Sequence, residues 1–203
     1  MDTLDVTVPA QTSTNGCPAF AVRCGMPALQ QVIVTNLEHT GFRLDPAAGI
    51  LLVIDAPHGF ALRTLETQDQ AQRQIVVVTH NPCPEYWTDL WDWELAILLV
   101  SECLHHELET AITRAAAGDR YRVALHHTMS LTTCERAVLR YAARGLTNQQ
   151  IANQIDVSVK RVANTLTGAY EKLGLSGRGA AILYYWGKQD LIGDIGSAPL
   201  RRR

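Results

Sequence analysis

The sequence is nearly without lysine. Among its 18 Lys and Arg residues only Lys160, Lys172 and Lys188 are lysine, and none precedes Lys160. Long apolar runs are missing too. The longest unbroken aliphatic stretch, Leu95 to Val100, is far short of the ~20 residues that cross a bilayer, which excludes a membrane span. The start, Met1-Asp2-Thr3-Leu4-Asp5, is acidic where a secretory signal is basic, so the expected location is cytoplasmic. The five cysteines, Cys17, Cys24, Cys83, Cys103 and Cys134, are odd in number and form no C-x-x-C pair. That argues against a disulfide framework or a zinc site. His106-Glu107 is not followed by a second His three residues on, so the metalloprotease motif is absent. No nucleophile, base and orienter fall together. The expectation is a protein that is not an enzyme and holds neither metal nor cofactor.

Net charge is also small, −2, but it hides a division. Through Met129 the chain carries 7 basic residues, all Arg, and 15 acidic ones, a balance of −8; from Ser130 onward it carries 11 basic and 5 acidic, a balance of +6. An acidic body followed by a basic tail suggests a sensing or interaction part joined to a nucleic-acid-binding part. With 47% hydrophobic and 19% charged residues, the chain is not a disordered one.

Short apolar runs punctuate the first part: Val6 to Val8, Val32 to Val34, Ile50 to Ile54, Ile75 to Val78 and Leu95 to Val100. The last three are continuous rather than alternating, as strands buried on both faces of a parallel sheet are. The intervening segments are long enough for crossover helices, and Leu104 to Ala117 reads as a closing helix. Between Thr12 and Gly49 glycine and proline interrupt any helical period. The expectation is a three-layer α/β domain over residues 1–119 with a five-stranded parallel sheet. Residues 120–130, where the charge changes sign, read as a linker.

Residues 131–203 read as all-helical. Thr132-x-x-Glu135 and Thr147-x-x-Gln150 are capping boxes that start two helices. Gly145 stops the first. Asp156 stands at a tight turn, and Ser158 caps a third helix that runs to about Leu173, with Gly174 as its stop. A fourth fits Gly179 to Lys188. Two short helices joined by a tight turn make a helix-turn-helix candidate.

The residues themselves carry a resemblance. Leu131-Thr132-x-x-Glu135-Arg136-x-Val138-Leu139 is followed by Ala143-x-Gly145-Leu146-Thr147-Asn148-x-x-Ile151-Ala152, then Ser158-x-x-x-Val162-x-Asn164-x-Leu166 and Lys172-Leu173-Gly174. This resembles the LuxR-type helix-turn-helix of bacterial transcription factors over about 57 residues, Leu131 to Gly187. The resemblance implies that Ser158 to Leu173 is the recognition helix, with Ala163, Asn164 and Thr167 at base edges. Asn164 suits adenine, and Ala163 and Thr167 suit the thymine methyl. Lys160, Arg161, Lys172 and Arg178 are placed to neutralise phosphates, and Thr147 and Asn148 to meet one at a helix start. The resemblance also suggests a dimer surface on the fourth helix through Ile182, Tyr185 and Trp186; ordinary core packing explains them equally well.

An α/β domain, a linker and such a helix-turn-helix resemble response regulators of the NarL/FixJ class, with a flavodoxin-like receiver. The resemblance places Asp55 at the phosphoacceptor position and Thr79 at the hydroxyl position. Ser101 stands where the family has a phosphoryl-contacting Lys. If Val6 to Val8 is the first strand, Pro9-Ala10-Gln11 follows it, where the family keeps an acidic pair for Mg²⁺. Asp55 is therefore expected to be vestigial. A second feature is Tyr86-Trp87-Thr88-Asp89-Leu90-Trp91-Asp92-Trp93. In a helix Trp87 and Trp91 share a face and Trp93 points elsewhere. They offer either a ligand or partner surface or packing against a neighbouring helix.

The leading reading is a regulator of double-stranded DNA, acting as a homodimer or as a heterodimer with another regulator. Its control would come from a small-molecule effector or a partner. In lacking Lys from its receiver-like part the chain resembles atypical regulators of antibiotic-producing actinomycetes, which implies regulation of secondary metabolism or development; the Arg bias, 15 to 3 Lys, hints at a GC-rich genome and points the same way. Two alternatives stand beside it: a phosphorylation-dependent response regulator, and an interaction module with little DNA binding of its own.

Overall fold

The computed structural model describes residues 18–67, 73–100, 105–123 and 130–188. The first of its two domains is a parallel sheet of six strands: β1 (Ala19–Cys24), β2 (Arg43–Leu44), β3 (Ile50–Ile54), β4 (Gln74–Thr79), β5 (Ile97–Val100) and β6 (Tyr121–Val123). Their order across the sheet is β2-β1-β3-β4-β5-β6. Helices α1 (Pro27–His39), α2 (Phe60–Thr67), α3 (Pro84–Trp91) and α4 (His105–Ala116) connect them. The second domain comprises α5 (Thr133–Ala143), α6 (Asn148–Gln154), α7 (Val159–Leu173) and α8 (Arg178–Tyr185).

The unbroken apolar strands are explained by their two faces. Leu51, Val53, Val77 and Leu98 pack with α2 and α3. Leu52, Ile54, Val76, Val78, Ile97 and Leu99 pack with α1 and α4. Each side chain so enclosed contributes about 1.5–3 kcal/mol relative to exposure. Both faces being covered, no polar alternation is needed.

The second domain has a core of its own, Val138, Ala142, Ile151, Ala152, Val162 and Leu166. The opposite sides of α5 and α8 face elsewhere. Leu139, Ala143, Ala181 and Tyr185 belong to the same buried cluster as Leu62, Leu65, Tyr86, Trp87 and Leu90 of α2 and α3. The two domains thus share one apolar layer, and the sheet face bearing α2 and α3 is covered in turn by α5 and α8.

Several expectations need correction. Val32 to Val34 is not a strand but the middle of α1. Pro27 opens that helix at its first turn, where a missing N–H costs nothing. Val34 and Leu37, three apart, face the sheet while Val32 is 57% exposed. The local β propensity of Val-Ile-Val loses to packing. The first described strand is Ala19–Cys24; Val6 to Val8 lies outside the described residues. No helix separates β2 from β3, because only residues 45–49 lie between them. The sheet gains a sixth strand, β6, paired parallel with β5 through Ile97 and Tyr121, Leu98 and Arg122, and Leu99 and Val123. It falls inside the segment read as a linker, whose residues 124–129 are not among those described. The fourth helix of the second domain begins at Arg178 and ends at Tyr185, earlier at both ends than expected.

Candidate nucleic-acid interface and the seam behind it

The turn before α7 forms as its residues dictate. Both capping boxes close: Thr132 Oγ1 accepts from Glu135 N at 3.3 Å and Thr147 Oγ1 accepts from Gln150 N at 3.3 Å. Asp156 takes φ 52°, a left-handed conformation that Asp tolerates better than most residues. Ser158 Oγ accepts from Arg161 N at 3.2 Å. At the far end Gly174 adopts φ 65° as the C-cap. These caps fix α7 over its whole length against the domain core.

α7 buries Val162, Leu166 and Ala169. Its other side carries Lys160, Arg161, Asn164, Thr167 and Glu171, all exposed, with Ala163 partly so. The residues expected to read bases therefore lie on one accessible face. The Thr167 hydroxyl is engaged, donating to the Ala163 carbonyl at 3.1 Å.

The expected phosphate ligands divide into two groups. Lys160 and Arg161 are exposed. Lys172 and Arg178 are tied within the domain. Lys172 Nζ donates to both Glu135 carboxylate oxygens at 2.8 Å. That bond and the backbone N–H of Thr132 hold the Glu135 carboxyl below its usual range. Arg178 donates to Asn148 Oδ1 at 3.0 Å and to the Leu146 carbonyl, so it pins the start of α6. Thr147 is exposed and Asn148 half-buried.

Asp55 stands at the carboxyl end of β3, where doubly wound sheets open toward ligands. Here that position is closed. Asp55 is 2% exposed. Its Oδ1 accepts from Ala61 N at 2.9 Å and its Oδ2 from the Thr79 hydroxyl at 2.7 Å. Burial pushes its pKa up, against the lowering effect of those bonds. β1 ends at Cys24, and Gly25-Met26 follow with no carboxylate before α1. A divalent cation needs several free oxygen donors, so these residues do not fit the Mg²⁺ of a receiver. Ser101 lies outside the described residues.

The loops around Asp55 grip α8 instead. Thr79 Oγ1 accepts from Asn81 N at 3.1 Å, and Asn81 Nδ2 donates to the Tyr185 carbonyl at 3.0 Å. His58 Nδ1 lies 3.0 Å from the Trp186 carbonyl; since a carbonyl only accepts, that nitrogen carries the proton. Two orphan carbonyls at the end of α8 are thus satisfied by the first domain. Gly59 makes the approach feasible: at φ +87° any Cβ there would come within 2.5 Å of the Trp186 ring.

Beside this grip runs a charged seam. Glu85, Asp89 and Asp92 recur along α3 and its C-cap; Arg136, Arg140 and Arg144 recur along α5 and its C-cap. Asp89 is 1% exposed. It accepts from the Tyr185 hydroxyl at 2.5 Å and pairs with Arg140 at 3.2 Å and Arg136 at 3.3 Å. Burial pushes its pKa up to about 6, although Arg140, Tyr185 and Arg136 all pull it down. Arg136 also reaches Asp92 at 2.7 Å, Arg144 pairs with Glu66, and the Tyr184 hydroxyl donates to Glu85. The rings of Tyr185 and Trp186 meet edge-on at 5.0 Å, and Tyr86 meets Tyr185 at 5.5 Å.

The tryptophans and the fourth helix resolve accordingly. Trp87 is 5% exposed and donates its indole N–H to the Asn81 carbonyl, so it is core and not surface. Trp91 is half-buried beneath Arg120, whose guanidinium lies 5.3 Å from its ring centroid. Trp93 is 39% exposed. The three form no common surface, because α3 turns Trp87 inward and Trp93 lies beyond its end. Tyr185 is wholly buried, against the first domain of its own chain. The seam residues escaped sequence reasoning, although their helical spacing was there to find.

Residues 129–185 match the family described as "Bacterial regulatory proteins, luxR family". An HTH-type transcriptional regulator of Mycobacterium bovis is 41% identical over 68 residues, 34% of this chain. The Fimbriae Z protein of Salmonella typhimurium is 42% identical over 50 residues, 25% of this chain. The matches span only 8% and 24% of those proteins' own lengths. Among solved structures, RcsB of Salmonella enterica serovar Typhimurium, bound to promoter rprA in the presence of phosphomimetic BeF3−, superposes with a TM-score of 0.57 at 17% identity over 83% of this chain and 98% of that one. A structure of two RcsB dimers bound to two parallel DNAs gives 0.52 at 19% identity, covering 84% and 98%. These likenesses are of fold: a parallel α/β domain followed by a helical one. Residues 129–185 of this chain thus form a domain of the luxR family of bacterial regulatory proteins, and the chain shares the two-domain fold of those RcsB structures.

Proposed function

We propose that the protein is a DNA-binding transcriptional regulator whose control does not run through ordinary aspartate phosphorylation. What supports DNA reading is the exposed face of α7, with Asn164 and Thr167 beside Lys160 and Arg161, on a domain of the LuxR family. Asn164 offers the bidentate pattern suited to adenine, and Ala163 and Thr167 small apolar contacts. The cations place the helix without reading sequence. A face this weakly charged binds usefully as a pair on two half-sites, with a second copy or another regulator as the other member. The similar proteins, an HTH-type transcriptional regulator and an RcsB bound to promoter DNA, favour the same reading. Double-stranded DNA is the expected ligand and the cytoplasm the expected location.

The mode of control rests on Asp55. Phosphoryl transfer needs an accessible carboxylate oxygen and cations to offset the charge on the phosphoryl group. Asp55 has both oxygens engaged, and no lysine precedes Lys160. The seam is the control point that remains. Whatever separates the domains frees the buried faces of α5 and α8 for assembly with another copy. The Arg bias and the Mycobacterium bovis relative favour an actinomycete regulator, and the engaged Asp55 oxygens favour control by an effector or a partner.

Two measurements test this. Footprinting of the full chain on genomic DNA is expected to reveal paired half-sites; capture of a protein partner with no DNA enrichment would establish the interaction module instead. Acetyl phosphate with Mg²⁺ is expected to leave Asp55 unlabelled, and phosphoaspartate there would restore the phosphorylation-dependent reading.

A further inference from the structure

A cleft of about 500 Å³ opens along the seam between the domains, lined by Gly59, Leu62, Arg63, Glu66, Ala143, Arg144 and Trp186. Its size is within the range of about 300–1,000 Å³ that small-molecule sites occupy, and domain boundaries are where such sites concentrate. Its walls come from α2 on one side and from the ends of α5 and α8 on the other.

The chemistry of the lining is specific. The Trp186 indole N–H is already satisfied, donating to the Ala143 carbonyl at 2.8 Å. The ring therefore offers the cleft only an apolar surface. Arg144 is paired with Glu66, whereas Arg63 has no ion-pair partner among the described residues and is exposed. Among the described residues, two guanidiniums against one carboxylate leave a single uncompensated positive charge beside an aromatic ring. Guanidinium groups bind carboxylate and sulfonate oxygens in a two-pronged geometry.

We infer that this cleft is an effector site for a small organic monoanion with a flat, apolar ring system. The anionic group meets Arg63, and the ring lies against the half-buried Trp186. Such a ligand touches both domains at once, so it binds the closed arrangement in preference to a separated one. It also sits on the element that the first domain grips: the Trp186 carbonyl is held by His58, and Gly59 lies under its ring. By linkage, occupancy of the cleft opposes any event that requires the domains to part, and such an event opposes occupancy equally. This inference rests on the reading of the seam as the control point.

The test uses the full chain and two fluorescent probes that differ in charge. 8-Anilinonaphthalene-1-sulfonate is a fused-ring monoanion, and N-phenyl-1-naphthylamine is its neutral counterpart. The sulfonate is expected to bind saturably at one site per chain. Arg63→Glu, an exposed change that leaves the core untouched, is expected to weaken it by about tenfold or more while moving the neutral probe by less than about twofold. Binding that does not saturate, or that Arg63→Glu leaves unchanged, overturns the site. Arg63→Glu is also expected to keep its affinity for DNA when no probe is present. A chain that binds the sulfonate through Arg63 but binds no DNA would overturn the regulator reading and leave the cleft standing.

Discussion

α7 and α8 are neighbouring helices of one small domain, and their outer faces have opposite fates. The outer face of α7 is exposed and carries little charge. Its ends are capped from within the domain, by Ser158 and Gly174. α8 ends against the other domain: Asn81 and His58 hold its last carbonyls, and Tyr185 is wholly buried. The helix that would read DNA is accessible, and the helix that the family resemblance marks for dimerisation is occupied. On the proposed function, control acts on assembly rather than on access to bases. The basic balance of the second half of the chain is shared between the two tasks. Lys160 and Arg161 face solvent, while Arg136, Arg140 and Arg144 answer carboxylates of the first domain.

The largest expected effect breaks the buried side of this comparison. Asp89→Ala removes the acceptor of Tyr185 and the shared partner of Arg136 and Arg140. Removing one side of a buried ion pair costs on the order of 3–5 kcal/mol. Calorimetry of the full chain should show that loss, with the single transition dividing into two as the domains uncouple. If Asp89→Ala melts as one unit at the wild-type temperature, the seam does not hold the domains together.

Next in size is a pH dependence confined to the same side. The Asp89 carboxyl is raised from 3.8 to about 6 by burial. A raised pKa means that the folded form takes up the proton more readily than the unfolded one. Its contribution is then complete below about pH 4 and lost as pH rises through about 6, worth on the order of 3 kcal/mol over that window. Acidification toward pH 5 is expected to stabilise the folded chain, the neutral carboxyl still accepting from Tyr185, Arg136 and Arg140. Against Asp89→Asn, which cannot titrate there, wild-type stability in denaturant should fall as pH rises from 4 to 7. A difference that is flat with pH would show that Asp89 is not buried as described.

How much of this was legible beforehand differs between the two faces for a physical reason. The α7 face was readable because it is built from local rules. Capping boxes, a left-handed Asp156, a C-cap glycine and an apolar stripe each act within a few residues of sequence. The same locality made β3, β4 and β5 legible, since a continuous apolar run needs no knowledge of its partner. The α8 face was not readable, because nothing in Arg178 to Tyr185 says what it packs against. Asp89 and Arg140 lie 51 positions apart, and each charge read alone looks like solvated surface. α1 failed for a related cause: Val32 to Val34 has strand chemistry, and only the packing of Val34 and Leu37 makes it helix. Asp55 follows β3 as its strand predicted, and the expectation that its chemistry is lost came from the missing lysine. That both its oxygens are occupied became visible only with Ala61 and Thr79 in place.

The exposed side is tested by smaller changes. Asn164→Ala is expected to leave stability within about 0.5 kcal/mol of wild type and to cost about 1–3 kcal/mol of binding at the preferred operator. Random DNA should be bound almost as before. Equal loss on operator and random DNA would mean that Asn164 reads no base.

The smallest effect separates the cations of the two groups. Lys160→Ala should reduce the slope of log affinity against log salt by about 1, because a free ammonium that meets a phosphate releases one counterion. Lys172 already faces the Glu135 carboxylate at 2.8 Å, so its charge is largely compensated before DNA arrives. Lys172→Ala is therefore expected to leave the salt slope nearly unchanged and to cost at most about 1 kcal/mol of stability, as exposed pairs do. Glu135→Gln should do the reverse. It keeps a residue able to complete the capping box but frees Lys172, and the salt slope should steepen by about 1. If Lys172→Ala lowers the slope as much as Lys160→Ala does, Lys172 leaves Glu135 for the backbone, and the interface extends from the start of α7 to its end.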